Sequence, residues 1–154
     1  MTIAFEGLVS ADLAYRAQAA LYSYAWAADS GDLDTLRDMA LEDIAVTQST
    51  QEKQGREAFL DIYRAFAASD TELSRHVVTN TVVTNEGDGV RIDAYFEATL
   101  FTSGSTSRIF GRYSDSLVEV DGSLKLKHKR IFVDRVMALP VATDAFVPYG
   151  SDKS

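Results

Sequence analysis

The chain has 154 residues, 46% of them hydrophobic and 25% charged, a size and balance that fit one folded unit and exclude global disorder. Fifteen basic against 23 acidic residues give a formal charge of −8, which repels phosphate backbones and anionic bilayers and argues against nucleic acid or a membrane surface as partner. With no cysteine and only two histidines, the chain has no disulfide, thiolate nucleophile, thiolate zinc site or His-rich metal centre.

The start, Met1-Thr2-Ile3-Ala4-Phe5-Glu6-Gly7, lacks the basic end and apolar run of a signal peptide, and no stretch approaches the roughly 18 apolar residues of a membrane span. The expectation is therefore a cytoplasmic protein. Both prolines, Pro140 and Pro148, fall near the C-terminus, and no Gly/Ser/Pro tract divides the chain. Residues 1–154 read as one domain, with a core over 11–136 and a tail over 137–154.

Ser10 to Asp29 reads as a helix with Ser10 as N-cap, Asp12 in the first turn and Gly31 as its stop. Two adjoining apolar stripes, Leu13/Ala17/Ala20/Tyr24 and Tyr15/Ala19/Tyr22/Trp26, predict burial around most of its circumference. Asp32 caps a short helix over Leu33–Met39. Ile44–Gln48 reads as a short strand, Ser49–Gly55 as a polar turn, and Arg56–Ala68 as a third helix with Phe59, Ile62, Tyr63 and Phe66 on one face.

From Arg75 the period switches to two. His76–Val83, Val90–Thr102, Thr106–Val120 and Ser123–Val136 read as four strands of a meander, joined at Glu86–Gly89, Ser103–Ser105 and the two-residue hairpin Asp121-Gly122. In the last strand Leu124 and Leu126 alternate with Lys125, Lys127 and Lys129, giving one wet face, yet Ile131 and Val133 take the opposite parity. A bulge, or burial on both faces, would account for the change. His128 interrupts the lysines and reads as structural or solvent-facing. Asp93, Glu97, Arg112, Asp115, Asp134 and Arg135 read as an ion-pair layer or as pocket lining, most of them solvated or at a subunit contact. Helices first and a long antiparallel meander after predict an α+β architecture, a curved sheet wrapped around N-terminal helices, with room for an internal pocket.

Tyr24-Ala25-Trp26-Ala27-Ala28-Asp29-Ser30-Gly31-Asp32-Leu33-Asp34-Thr35-Leu36, with Leu41-Glu42-Asp43-Ile44 after it, resembles the opening of SnoaL-like proteins of the nuclear transport factor 2-like superfamily. Ser74–Asn80, Phe110–Leu117, Asp121-Gly122 and Lys129-Arg130 resemble the central strands of that superfamily. The likeness covers about 11–136 and implies a cone-shaped α+β barrel. In the branch related to scytalone dehydratase and bile acid dehydratase, an Asp near the end of the first helix and a His at the start of a central strand form a dyad. The matching positions are Asp29 and His76. The same stretches, Phe110–Leu117 and Arg130–Asp134 above all, also resemble the small β subunit of aromatic-ring-hydroxylating dioxygenases, which carries no dyad and partners a large subunit.

The first resemblance implies a cofactor-independent lyase of the dehydratase type, or a polyketide cyclase or isomerase, acting on a hydrophobic cyclic or polyketide-like carbonyl compound. His76 would be general base and acid, and Asp29 would orient it. It further implies a homo-oligomer, trimer or dimer, binding a small hydrophobic molecule with no cofactor and no metal. Dehydratase-like relatives place a tyrosine five residues before the Asp, which is Tyr24, but about 100° per residue sets Tyr24 about 140° from Asp29, whereas Tyr22 and Trp26 share its stripe. Tyr24, Tyr22, Trp26, Asn80 and Tyr113 are the candidate substrate-binding residues. The tail from Met137 to Tyr149 is expected to close the pocket mouth. No GxGxxG, Walker, HExxH or nucleophile-elbow pattern occurs.

Overall fold

The computed structural model describes residues 7–139. Three helices come first: α1 (Ala11–Ser30), α2 (Leu33–Met39) and, after two strands, α3 (Arg56–Ala67). The strands are β1 (Ala40–Gln48), β2 (Gln51–Gln54), β3 (Thr71–Glu86), β4 (Gly89–Thr102), β5 (Thr106–Val120) and β6 (Ser123–Leu139). They form one six-stranded sheet in the order β2-β1-β6-β5-β4-β3, curved around the helices as an α+β cone of the nuclear transport factor 2-like fold.

Helix α1 begins and ends where local chemistry dictates. The Ser10 hydroxyl accepts from the Leu13 N–H, and Gly31 adopts the left-handed conformation at φ 69° while the chain exits toward α2. Alanines at 17, 25, 27 and 28, all buried, let the helix lie close to the sheet. Only one of the two expected stripes is covered, however: Tyr15 is 71% and Trp26 78% exposed, and Tyr22 is exposed as well. The helix packs on β3, and among the described residues no layer covers its other side, so its aromatic second stripe faces outward. On α3, Phe59, Leu60 and Tyr63 are buried.

The meander β3-β4-β5-β6 is antiparallel throughout, and Asp121 (φ 50°) with Gly122 (φ 80°) forms the tight hairpin turn its sequence announces. Two features depart from the expectation. The stretch 49–55 is not a plain turn: Gln51–Gln54 pairs with β1 as an exposed edge strand, and a strand with no buried face carries no period-two signal. In addition β1 runs parallel to β6, which makes the sheet mixed. Ile44 and Val46, fully buried, seat β1 on the core there.

The change of parity in β6 is a bulge. Ser116 pairs with His128 and Leu117 with Leu126, so Lys127 is the extra residue, and the inward set moves from Leu124 and Leu126 to Lys129, Ile131 and Val133. A second register shift, between Phe110 and Gly111, leaves Asp134 unpaired in the ladder. Strand β6 also runs to Leu139, three residues into the stretch read as tail; the remainder of that stretch, with its expected pocket-closing role, lies outside the described residues.

Candidate active site

Asp29 stands in the last turn of α1, where the helix dipole disfavours a carboxylate, and three donors compensate for it. His76 Nδ1 lies 2.6 Å from Asp29 Oδ1, the Ser74 hydroxyl donates to the same oxygen at 2.6 Å, and the His76 backbone N–H donates to Oδ2 at 2.8 Å. Ser74, His76 and Val78 share the inward parity of β3, so one strand supplies all three donors. Burial by itself raises the Asp29 carboxyl, but the hydrogen bonds from His76, Ser74 and the His76 backbone outweigh it and hold the carboxyl below its ordinary value. An ionised carboxylate only accepts, so Nδ1 carries the hydrogen, and in the neutral imidazole Nε2 is left with a lone pair. Both side chains are mostly covered, at 15% and 12% exposure.

His76 forms the wall between two chambers. On one side is a groove with Tyr22, Trp26, Asp29 and Arg75 in its lining. On the other is an apolar cavity of about 200 Å³, walled by Tyr24, Phe96, Ile109, Tyr113, Ile131 and Val133 among others. This removes the conflict of helical phase: Tyr22 and Trp26 line the groove with Asp29, while Tyr24, on a different face of α1, lines the cavity on the other side of His76. Asn80 belongs to neither chamber. It is exposed, at φ 55°, where the β3–β4 register shifts between Thr79 and Val82, and asparagine serves there because it tolerates left-handed backbone.

The floor of the cavity is a cluster that the sequence reading missed. Tyr63 donates to the Tyr24 hydroxyl at 2.8 Å, and the Tyr113 ring meets that of Tyr24 edge to face, with centroids 5.6 Å apart. Burial pushes all three phenols above their ordinary value, so each remains a protonated donor at neutral pH. Beneath them lies Lys129, expected on a wet face but fully buried, with Nζ 2.7 Å from Asp115 Oδ2. Burial pushes the Lys129 ammonium down and the Asp115 carboxyl up, each opposed by its partner. The signal was present: Lys129 shares parity with Ile131 and Val133, and a bulge before it turns it inward. Asp115 likewise leaves the surface set. The others stay mostly outside, with Glu97 paired to Arg108 and Arg112 to Asp134, although Asp93 is buried on Arg91 with Oδ1 unpartnered. His128 hydrogen-bonds Thr47 at 2.7 Å, away from the dyad. Among the described residues no three His, Asp or Glu side chains gather as a metal site, and no helix is long and apolar enough to cross a membrane.

Residues 14–130 match the family model for the SnoaL-like domain. No curated protein matches the chain by sequence. Among solved structures, hexachlorocyclohexane dehydrochlorinase LinA type 2 superposes with a TM-score of 0.76 at 17% identity, over 88% of this chain and 93% of that one. A Novosphingobium aromaticivorans protein provisionally named scytalone dehydratase gives 0.74 at 17% identity over 82% and 87%. Another from that organism, provisionally named aromatic ring hydroxylase, gives 0.75 at 20% identity over 85% and 96%. At these identities the likeness is one of fold.

Proposed function

The chain belongs to the SnoaL-like domain family, and on that premise we propose that it is a cofactor-independent, dehydratase-like lyase acting on a hydrophobic cyclic or polyketide-like carbonyl compound in the cavity beside His76. The observation that carries this reading is the 2.6 Å contact between His76 Nδ1 and Asp29 Oδ1 at the edge of an apolar chamber. Nε2 takes a proton from the carbon next to the substrate carbonyl, and Asp29 steadies the imidazolium that forms. The electron pair moves onto the carbonyl oxygen, which accepts a hydrogen bond from Tyr24. As the pair returns, the C–O bond to the neighbouring hydroxyl breaks, the imidazolium gives that oxygen its proton, and water leaves with the unsaturated carbonyl compound. The same enolate, captured by an internal carbon electrophile or reprotonated elsewhere, gives cyclisation or isomerisation.

The rival reading, a non-catalytic β subunit with a dioxygenase large subunit as partner, draws support from the likeness in fold to the protein named as an aromatic ring hydroxylase. An apolar chamber bounded by an oriented imidazole favours the lyase, because a scaffolding subunit has no use for one. Cyclic hydroxy-ketones screened by thermal shift supply the substrate. For a compound that is turned over, His76→Ala and Asp29→Asn are each expected to lower turnover by at least about 100-fold; near-wild-type rates in both variants would overturn the dyad.

A further inference from the structure

An ion pair in a protein interior is a weak source of stability, since apolar residues of like volume do as well or better, yet this chain buries Lys129 and Asp115 at 0% and 1% exposure directly under its cavity. The ammonium has three hydrogens. One meets Asp115 Oδ2 at 2.7 Å, and Nζ also lies 3.5 Å from the centre of the Tyr113 ring and 3.8 Å from that of Tyr24. One carboxylate and two ring faces thus account for every donor. Those rings stand at right angles, with centroids 5.6 Å apart, and Tyr113 stacks on Phe96 at 4.3 Å.

We propose that Lys129 is a positioning residue that acts through Tyr24 and Tyr113, and that with Tyr63 it turns the cavity floor into a binding site for an oxygen that becomes anionic during turnover. A cation against the π face draws electron density from the phenol and sharpens its O–H as a donor. Tyr63 donates to the Tyr24 oxygen, which polarises the remaining hydrogen of Tyr24 in the same sense. In a cavity walled mainly by apolar side chains such prearranged donors favour the enolate over the ketone. The inference rests on the reading of Tyr24 as carbonyl donor, and it narrows the substrate to compounds whose carbonyl is conjugated or enolisable enough to carry that charge.

The test uses the full chain and a series of substituted 2-naphthols of graded acidity, with binding and ionisation read from the distinct absorption of naphthol and naphtholate. The wild type is expected to bind the more acidic naphthols more tightly and to hold them ionised below their solution pKa. The paired variant Lys129→Met/Asp115→Asn removes both charges, so neither is left buried alone. Circular dichroism confirms its fold. It is expected to lose about tenfold affinity for the most acidic naphthol and little for the least, the size a desolvated ammonium–ring contact supports. Should that variant not fold, Tyr63→Phe is expected to flatten the same dependence. An unchanged slope, a uniform loss across the series, or no dependence on acidity in the wild type overturns the inference. Failure of the dyad reading appears elsewhere, as unchanged turnover in His76→Ala, a variant expected to keep the naphthol slope.

Discussion

Asp29 carries two duties, closing the end of α1 onto β3 and orienting His76, and a pH experiment on stability reads the first without any substrate. Its carboxyl is held below its ordinary value in the folded chain, so the carboxylate contributes stability above the unfolded value of about 4. That contribution is lost as pH falls through the folded value. Unfolding of wild type and Asp29→Asn is therefore expected to differ most near neutral pH and to converge in acid; a gap that stayed constant down to the acid limit would show that the three donors do not stabilise the charged form. The position of Asp29 and of His76 was legible from the likeness of two short motifs. Ser74, which completes the carboxylate's shell, was not, because a serine in a β-rich run has no pattern of its own.

Among the elements, strand β5 has a position that tolerates no added volume. Gly111 sits beneath the Phe96 ring, and a Cβ built there would lie 2.5 Å from it, with the Phe132 carbonyl also in the way. Gly111→Ala is expected to cost about 1–3 kcal/mol by overpacking and to disturb the Phe96–Tyr113 stack that borders the cavity. Chemical denaturation measures the loss, and a change below a few tenths of a kcal/mol would mean that Phe96 moves freely. Strand β6 shows how far periodicity alone reaches. Its two halves read correctly as apolar on opposite parities, and the Lys127 bulge joins them; what parity without the bulge misassigned was Lys129, placed among the wet lysines. Helix α1 failed in the other direction, because amphipathic counting finds apolar stripes but not which of them a neighbouring layer covers.

Over the whole molecule, the cavity lies between the helices and the curved sheet, with Tyr24 of α1 and Tyr63 of α3 on one side and Ile109, Tyr113, Ile131 and Val133 of β5 and β6 on the other. A ligand that fills this space binds only the folded chain. At a hundred times its Kd it is expected to add about 2.7 kcal/mol to stability, seen as a rise in Tm that grows with ligand concentration. A compound that binds by calorimetry yet leaves Tm unmoved would bind the folded and unfolded chains equally, and so would not use this cavity.

The sequence by itself determined the α+β class, the order of helices and meander, the hairpin at Asp121-Gly122 and the cap at Ser10, since each rests on local periodicity or turn chemistry; Asp29 and His76 were singled out as candidates by resemblance. Tertiary structure alone decided which stripe of α1 is wet, that β1 joins β6 in parallel, that Asn80 stands outside both chambers, that Asp29 meets His76, and that Lys129 lies against the rings of Tyr24 and Tyr113. Those outcomes depend on which surfaces meet across the sheet, and contacts between residues distant in the chain leave no periodic trace in it.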